Sequence, residues 1–511
     1  MRVFCIETST DYWVEAIRRL MKEDGWEPVY WTGHTTREKA VREAAPKAIY
    51  HDTFEAMRGI LPDGFPFPLI PLSPSFIEEV ALEEQMVLRM MQRMDLCGTF
   101  SHDARLQLYY DHLRHALTLL ERLRPDLVVF PYVPHLCFDY VIYRLCRKRG
   151  IPTLCIHDMC FPDRLPPIAA FEEEAGIQRR YEELLTRGEA PGLSGDGEAY
   201  FQRTMSADYH QAKPFYMNNK KFFDSFEPSW RRELAFGLQY AKDLLTILKD
   251  WFKPAYRHYF KEPGRSIKES KWTLGPLELA RLRSKFPKRE LLKAYEKRMV
   301  KADLSKPYIY VPLHMQPEMS SIPMGGPFLD QRLLVDMLAR SVPDGWMVYV
   351  REHPAQFFPR GYGELWRSEE DYAGMLSHPN VRLVSLHDSA WDLTDHARAV
   401  ATLTGTAGWE ALVRGRPVLL FGYAWYRGCD GAMFIRTQDD LNEALDKVVK
   451  GILPDWGKVK LFYKAMTEVC PRGYSIPERA KPSGVSYEEN VRAAMKVLRG
   501  AAANATAGKG A

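Results

Sequence analysis

The sequence lacks the features that mark secreted, membrane-spanning or nucleic-acid-binding proteins. Its eight cysteines form no C-x-x-C pair and no secretory leader is visible, so we expect reduced thiols in a cytoplasmic protein. No stretch approaches the ~20 consecutive apolar residues that a membrane-spanning helix needs. A net charge of +4 over 511 residues is too small to indicate a nucleic-acid partner.

Two parts of the chain alternate short β-branched runs with amphipathic segments, which is the pattern of α/β folds. Two Rossmann-like halves that face a cleft would place a nucleotide in one half and a second substrate in the other. We therefore predict an α/β fold with two such halves. The predicted strands are residues 2–6, 27–31, 127–130 and 153–156 in the first half, and 308–313, 347–350, 381–383, 400–403 and 417–421 in the second.

The clearest chemical signal is a small, hydroxylated turn between a strand-like run and a short helix. The turn is Thr404-Gly-Thr-Ala-Gly408, and a glycine-terminated helical segment follows it. Such a turn presents backbone N–H groups and the helix dipole to an anion. We therefore predict a nucleotide-phosphate site at Thr404, Gly405, Thr406 and Gly408, with Glu410 in reach of ribose hydroxyls. The alternative is an ordinary turn in which Thr404 or Thr406 is the helix N-cap.

A second polar group follows the predicted strand 347–350. Arg351 and His353 come just before a proline that stops the ladder. A guanidinium can fork onto phosphate oxygens, and an imidazole can donate a hydrogen bond or a proton. We predict that both residues bind the phosphate, with a loop histidine bonded to backbone as the alternative. His314 and Gln316 follow the first strand of the same half and should line the same crevice.

Metal-binding patterns are absent as well. No Asp-x-Asp motif stands beside a predicted strand, and no His or Cys cluster has metal-ligand spacing. We expect a site that uses no metal and no cofactor, so that protein cations and helix dipoles stabilise the phosphate.

The middle of the chain is basic and aromatic. Between Lys249 and Lys306 there are 17 Lys or Arg against 7 Asp or Glu, a local excess of +10. Such a segment can dock on an anionic membrane surface or receive a phosphorylated lipid or an acidic glycan. The alternative is a solvated helical connector whose aromatic residues pack on the two halves.

Several segments of the second half occur together, in order, over about 120 residues. Together they resemble the capsule polysaccharide biosynthesis family, GT-B glycosyltransferases that include the Kdo transferases of bacterial capsule and lipopolysaccharide assembly. The resemblance implies a CMP-activated ulosonic acid donor, a metal-free site, and donor phosphate on the His-Pro and Thr-Gly-Thr elements. The matching segments are residues 308–318, 350–354, 402–412, 416–422 and 425–428.

The N-terminal half is similar to the same family at residues 134–140 and 161–165. Sugar transfer needs a carboxylate or an imidazole near the anomeric carbon. We expect this group among His135, Asp139 and Asp158, with Glu7 and Asp163 as further carboxylates. Asp139 can instead cap the helix that follows it.

The favoured interpretation is a metal-independent glycosyltransferase that moves a sugar such as Kdo to a surface-glycan acceptor. Its partners would be a nucleotide sugar, a glycan or lipid-linked glycan, and the inner face of the membrane as a peripheral contact. The alternatives are a UDP-sugar glycosyltransferase or hydrolysing UDP-sugar epimerase of the same fold, and a non-catalytic glycan-binding or export-scaffold protein. The predicted parts are an acceptor-side Rossmann-like domain (1–205), a basic helical insert or linker (206–305), a nucleotide-sugar domain (306–450), helices that pack back (451–500) and a disordered tail (501–511).

Overall fold

The computed structural model of the chain describes residues 1–95, 100–173, 176–206, 229–250, 277–357 and 363–507. These residues form two units. Unit 1 comprises residues 1–177 together with 467–507, and unit 2 comprises residues 178–250 together with 277–466.

Unit 1 is built on a six-stranded sheet of order β3-β2-β1-β4-β5-β6. Strands β1 to β5 are parallel, and β6 runs antiparallel to β5. The chain extends from β1 to β3 on one side and continues with β4 on the other side of β1. The carboxyl ends of β1 and β4 are therefore the topological switch point, where α/β sheets bind ligands. The strands are β1 (Arg2–Cys5), β2 (Glu27–Gly33), β3 (Ile49–Asp52), β4 (Leu127–Phe130), β5 (Thr153–Ile156) and β6 (Pro167–Ile168).

Unit 2 has a second six-stranded sheet, of order β12-β11-β10-β7-β8-β9, in which every pair is parallel. Its switch point lies between β7 and β10. The central strands are almost wholly apolar, as expected for a parallel sheet covered on both faces. The strands are β7 (Tyr308–Pro312), β8 (Met347–Arg351), β9 (Val381–Leu383), β10 (Ala399–Thr402), β11 (Val418–Leu420) and β12 (Ala432–Phe434).

Helices pack around both sheets, and most of them bury an apolar face. The helix after β1 illustrates the rule, since it buries Trp13, Ile17 and Leu20 and ends at Gly25 in the left-handed conformation. Unit 1 has helices Asp11–Asp24, Glu38–Ala44, Thr53–Met57, Pro74–Glu79, Ala81–Met94, His102–Leu123, Phe138–Lys148, Ala480–Ser483 and Tyr487–Ala507. The remaining helices are Gly176–Thr186, Gly195–Met205, Ser229–Asp250, Leu277–Arg298, Gln331–Ser341, Glu369–Met375, Ala390–His396, Thr406–Val413, Gln438–Val449 and Trp456–Val469. Single 3-10 turns are Thr35–Arg37, Gly326–Leu329, Pro354–Phe357, Gly363–Leu365 and Pro477–Arg479.

The two sheets confirm the predicted α/β class with two Rossmann-like units of the GT-B type. All nine predicted strands are present, whereas β3, β6 and β12 were not predicted. β3 ends in His51-Asp52, β6 has two residues and begins with a proline, and β12 is only partly buried, so none of the three gives a continuous buried apolar run. That the two halves face a cleft stays a prediction.

The first unit ends earlier in the chain than the predicted boundary at residue 205. Helix Gly195–Met205 packs on unit 2, where the indole N–H of Trp409 donates to the hydroxyl of Tyr200 at 2.9 Å. The ring of Phe201 meets the same indole edge-on. These aromatic contacts are long-range, so their place was not visible in the local sequence.

The predicted disordered tail is wrong for residues 501–507. The last helix, Tyr487–Ala507, continues through them, and Ala505 is buried. Alanine has the highest helix propensity, and Ala501 and Ala502 pack against the core of unit 1. Residues 508–511 lie outside the described residues.

The basic middle segment is described only in part, because residues 207–228 and 251–276 lie outside the described residues. Helix Leu277–Arg298 contributes to the core of unit 2. Its Tyr295 is fully buried and donates a hydrogen bond to Val384 O at 2.7 Å. Lys288 is also fully buried and pairs with Glu364 at 3.3 Å. The aromatic residues on which the two interpretations of this segment depend lie outside the described residues or have side chains that are not described, so both interpretations stay predictions.

Candidate active site

The polar residues predicted from the second half gather at the switch point of the unit 2 sheet. His314 follows β7, and Thr404 with Gly405 follows β10, which pairs with β7. Arg351 ends β8 on the other side of β7, and His353 follows it. The parallel order of these three strands brings their carboxyl ends to one edge, so residues about ninety positions apart become neighbours.

The ring of His314 has a defined protonation state. Its Nε2 accepts a hydrogen bond from the backbone N–H of Thr404 at 3.2 Å and lies 3.1 Å from the hydroxyl oxygen of Thr402. Since an N–H donor faces Nε2, this nitrogen carries no proton and the neutral ring has its proton on Nδ1. Burial lowers the pKa of His314 to about 3, and the nearby His353 lowers it further. At neutral pH His314 is therefore an uncharged hydrogen-bond donor through Nδ1.

His353 is the second neutral histidine of this edge. Its Nδ1 accepts from the backbone N–H of Ala355 at 3.1 Å, so its proton lies on Nε2. Burial, and then the charge of Arg351, lowers the pKa of His353 to about 4. His353 can therefore be a loop histidine bonded to the backbone and also a hydrogen-bond donor to phosphate, because each role uses a different ring nitrogen. A hydrogen bond, rather than a proton, is what His353 can offer a ligand at pH 7.

Helix Thr406–Val413 starts at this edge without a side-chain cap. Its N-cap is Gly405, which has no side chain to accept a hydrogen bond from the first turn. The alternative of a threonine N-cap is therefore wrong. The hydroxyl of Thr404 donates instead to Ser320 O at 2.8 Å, and Thr406 is the first residue of the helix. The dipole of a helix that starts in this way attracts an anion to its N-terminus.

The two glycines of the turn are fixed by close packing. A Cβ on Gly405 would lie 2.9 Å from Thr402 Oγ1 and 3.3 Å from His314 Nε2. A Cβ on Gly408 would collide with the hydroxyl of Tyr426, which donates to Gly405 O at 2.5 Å. Gly408 thus makes room for Tyr426, which holds the turn, and this contact is not visible in the sequence motif.

Arg351 is partly engaged by the protein. Its Nη2 donates to Leu386 O at 2.7 Å, and its guanidinium also bonds to the hydroxyl of Tyr310. The side chain is half-buried, so it remains accessible from the edge. These contacts fix the guanidinium in one orientation, which suits a group that must meet a phosphate without reorganisation.

Glu410 lies in the second turn of the same short helix and is half-buried. Burial raises its pKa to about 7, while Arg414 and the indole of Trp391 oppose this shift. Glu410 is therefore partly protonated at neutral pH. A carboxyl in this state can donate to or accept from a ribose hydroxyl, as the prediction for this residue requires.

Two glutamines that the sequence analysis missed hold the backbone of this edge. Gln331 accepts from His314 N at 2.7 Å and donates to His314 O at 3.1 Å. Gln356 accepts from Gln316 N at 2.9 Å and donates to Gln316 O at 3.2 Å. Each glutamine side chain thus makes two hydrogen bonds to the backbone of one residue, as a neighbouring strand would. Gln316 itself is buried, and its side chain donates to Leu329 O at 2.5 Å, so the structure gives it a supporting role.

A buried ion pair anchors the segment between Arg351 and His353. Glu352 and Arg367 are 2.7 Å apart, with side chains 0% and 2% exposed. Tyr372 donates to the same carboxylate at 3.0 Å, and the backbone N–H of His353 donates at 2.9 Å. Nothing in the local motif indicates a partner fifteen residues away. The pair sets the position of His353 through its own backbone.

The structure places the unit 1 candidates in supporting roles. Asp139 is buried and accepts the backbone N–H groups of His135 at 3.1 Å and of Leu136 and Tyr140 at 2.6 Å each. The alternative that Asp139 is the N-cap is wrong, because Cys137 is the N-cap and Asp139 lies in the first turn of helix Phe138–Lys148; its bonds hold the turn that leads into this helix. Burial raises the pKa of Asp139 to about 6, against these three bonds.

His135 and Asp158 have partners of their own. His135 Nδ1 bonds to Val133 O at 2.8 Å, and burial lowers the pKa of this histidine to about 3. Asp158 forms an ion pair with the buried guanidinium of Arg479. Asp163 lies 3.7 Å from Arg164 and 3.6 Å from Arg472. Each of these three residues is bonded to or paired with another group of the protein. Their assignment as catalytic groups stays a prediction.

No three His, Cys, Asp or Glu side chains are grouped as metal ligands in the part of the chain that the structure describes. Metal independence itself stays a prediction. Among the described helices, none combines the length and apolar character needed to cross a bilayer.

The fold and this edge define an α/β protein of the GT-B type with a glycine-containing turn and polar side chains at the switch point of its second unit. A family model described as "Capsule polysaccharide biosynthesis protein" matches residues 239–432. This range contains His314, Arg351, His353 and the turn at residues 404–408. The predicted resemblance to the capsule polysaccharide biosynthesis family is therefore confirmed over these residues.

Solved structures with some likeness include two transferases and an epimerase. The Thermosulfurimonas dismutans KpsC beta Kdo 2,7 transferase is 19% identical over 43% of this chain and 66% of its own, slightly under two-thirds, with TM-score 0.24. The beta Kdo 2,4 transferase of the same protein is 14% identical over 66% of this chain and 86% of its own, with TM-score 0.26. The UDP-GlcNAc 2-epimerase from Methanocaldococcus jannaschii is 12% identical over 92% of this chain and all of its own, with TM-score 0.22. TM-scores this low carry no conclusion about function. No curated protein matches the chain.

Proposed function

We propose that this protein is a glycosyltransferase that moves a CMP-activated ulosonic acid such as Kdo to a surface-glycan acceptor in capsule or lipopolysaccharide biosynthesis. The family match at residues 239–432 supports the process, and the switch-point edge of unit 2 supports the chemistry. The donor sugar follows from the family resemblance alone.

The start of helix Thr406–Val413 at a glycine N-cap, beside two neutral histidines, is the observation that carries the proposal. A nucleotide sugar releases its nucleotide with a phosphate that gains negative charge as the glycosidic bond breaks. Preorganised N–H donors and a helix N-terminus stabilise such charge, and each donor is worth about 10²-fold or more in rate. Nδ1 of His314 and Nε2 of His353 are the two imidazole donors, and the fixed guanidinium of Arg351 supplies a positive charge.

Glu410 completes the proposed donor site as the group that meets the ribose. Its partly protonated carboxyl can bond to a vicinal diol in either direction. This role requires a ribonucleotide donor, which both CMP- and UDP-sugars satisfy.

A peripheral membrane contact is the second part of the proposal. Helix Ser229–Asp250 exposes four leucines on one face, 55% to 67% accessible, at spacings of four, seven and three residues. Helix Leu277–Arg298 exposes Lys293 and Lys297. Exposed leucines next to lysines are typical of a surface that binds the interface of an anionic bilayer. The leucines are Leu234, Leu238, Leu245 and Leu248.

The direct test is product analysis with a panel of CMP- and UDP-sugars, with and without a Kdo-containing oligosaccharide acceptor. We expect CMP release and a lengthened oligosaccharide from CMP-Kdo. Release of UDP together with a 2-epimer would establish the epimerase instead. Glycan binding without turnover of either nucleotide sugar would establish a non-catalytic protein.

A further inference from the structure

Unit 1 has a polar group at its own switch point that none of the roles above uses. Glu7 follows β1 with φ of 57°, in the left-handed region that residues with a side chain rarely adopt. Backbone strain of this kind persists where the surrounding structure fixes it, and it is found frequently at functional sites. Here the backbone N–H of Glu7 donates to Thr32 Oγ1 at 2.9 Å.

The carboxyl of Glu7 is held by one of its oxygens. Oε1 accepts from the hydroxyl of Thr53 at 2.5 Å and from that of Thr32 at 3.3 Å. Neither threonine hydroxyl donates to Oε2. The side chain of Glu7 is half-buried, so solvent reaches its carboxyl group. Thr32 lies in β2, Thr53 follows β3, and Tyr132, which bonds to Glu7, follows β4. Residues from four strand ends therefore meet where α/β sheets bind ligands.

The electrostatic setting suits proton transfer at neutral pH. Burial raises the pKa of Glu7 to about 7, the carboxylates of Asp139 and Asp52 act in the same direction, and the two threonine hydroxyls oppose it. The pKa of Tyr132 lies well above its usual value, so its hydroxyl keeps its proton and can donate. A general base works best when its pKa is near the working pH.

The two other carboxylates considered as catalytic groups in this unit do not combine these properties. Asp139 is buried and its oxygens accept three backbone N–H groups. Asp158 is paired with Arg479. Glu7 is the carboxyl that is held by neutral hydroxyls, reachable, and placed at the switch point.

We propose that Glu7 is the base that accepts the proton of the acceptor-sugar hydroxyl, in a hydroxyl-binding site of unit 1 formed with Thr32, Thr53 and Tyr132. This inference rests on the proposed glycosyltransferase function. The hydroxyl O–H bond breaks and its proton moves to the carboxylate of Glu7. The hydroxyl oxygen bonds to the anomeric carbon of the donor sugar, and the bond from that carbon to the nucleotide phosphate breaks, with its electron pair leaving on the nucleotide.

The test compares Glu7→Gln with Glu15→Gln, a matched change in a surface carboxylate that pairs with Arg18 and Arg19. The assay uses CMP-Kdo as donor and an aryl glycoside of Kdo as acceptor. We expect Glu7→Gln to lower kcat by about 10²-fold or more, as loss of a general base does. CMP affinity measured by calorimetry should be unchanged in both variants, and Glu15→Gln should turn over normally.

The pH dependence of the rate in Thr53→Val gives a second test, because it would not shift if Glu7 had only a structural role. The wild-type rate should rise with pH through an apparent pKa of about 7, because the base must be ionised. Removing the hydroxyl that lowers the pKa of Glu7 should move this limb to higher pH. Full activity of Glu7→Gln, or an unmoved limb in Thr53→Val, would overturn the inference while leaving the proposed function intact. A wild-type protein that turned over no nucleotide sugar would overturn both.

Discussion

His314 accepts a hydrogen bond from the backbone N–H of Thr404, 90 residues further along the chain, at 3.2 Å across the switch point of the unit 2 sheet. One ring thereby joins the two strand ends that form the proposed phosphate site. It also leaves the proton on Nδ1. The structural role and the proposed binding role of His314 use different nitrogens, so they can be separated by substitution.

His314→Gln and His314→Ala should behave differently. A glutamine side-chain oxygen can accept from Thr404 in place of Nε2, whereas alanine leaves this N–H unpaired at a cost of about 1–3 kcal/mol. We expect His314→Gln to melt close to wild type and His314→Ala to melt earlier. Both should lose CMP affinity and turnover by about 10²-fold, since both lack the ring donor. Calorimetry and thermal melts separate the outcomes, and normal CMP binding in His314→Ala would exclude the residue from the site.

Gly405→Ala should weaken nucleotide binding through His314. The new Cβ would lie 2.9 Å from Thr402 Oγ1 and 3.3 Å from His314 Nε2, so the ring must move. Gly374→Ala is the matched control, because a Cβ at that helical position meets nothing within 4 Å. We expect calorimetry to show reduced CMP affinity in the first variant only. Equal affinities in the two variants would mean that the turn is purely structural.

The position of these polar residues at strand ends could be predicted from the sequence, whereas the residues that hold them in place could not. Apolar runs ending in Arg351 and His353, or in the glycine turn, indicate ligand contacts because parallel strands deliver residues to one edge. Gln331 and Gln356 look like surface residues in the sequence, yet each is buried and clamps a backbone residue. Their partners lie 17 and 40 residues away, and no local pattern encodes such distances.

Arg367→Met should destabilise the protein without touching the ligand. Glu352 would keep a buried carboxylate with no cation, and breaking a buried pair costs about 3–5 kcal/mol. The double variant Glu352→Gln with Arg367→Met should recover part of this loss, because no charge is then left uncompensated. Denaturant unfolding of the wild type and the two variants measures the effect. A single variant as stable as wild type would show that the pair does not anchor the His353 segment.

Acidification should lower the melting temperature below pH 6.5. Burial lowers the pKa of five histidines to about 3 or 4, so the unfolded chain binds their protons at higher pH than the folded protein and stability falls as pH falls. Glu7 and Glu410, with pKa raised to about 7, and Asp139, raised to about 6, act in the opposite direction between pH 7 and about 4.5. Glu55 and Asp158, whose pKa burial also raises, act with these three carboxyls, whereas Glu15, whose pKa is lowered to about 2 by its hydrogen bond to Arg18, acts with the histidines. The histidines have the larger shifts, so we expect a net loss. The histidines are His51, His112, His135, His314 and His353.

Glu410→Gln removes one of the opposing carboxyls and should steepen this acid destabilisation. Melting curves of both proteins from pH 7 to pH 5 measure it. A melting temperature that rose steadily over this range would contradict the assignment of neutral, buried histidines.

The predicted membrane contact requires a different set of lysines from the one that charge alone suggests. Lys288 is fully buried against Glu364, and Arg298 pairs with Glu369 at 2.5 Å, so both serve the fold of unit 2. Lys293, Lys297 and Lys301 are exposed on the same stretch of chain and can meet lipid headgroups.

Changing Lys293, Lys297 and Lys301 together to glutamine should therefore abolish cosedimentation with anionic vesicles at low salt. Each basic residue near an anionic surface contributes about 1 kcal/mol, so the three together should change vesicle affinity by about 100-fold. The matched control changes the exposed Lys447, Lys450 and Lys458 of the same unit, which alters the net charge equally. Wild-type binding should also fade at 1 M salt, where the Debye length is about 3 Å. If both triple variants lose binding equally, net charge rather than this surface attracts the vesicles; binding that survives both salt and the substitutions would leave the segment a connector.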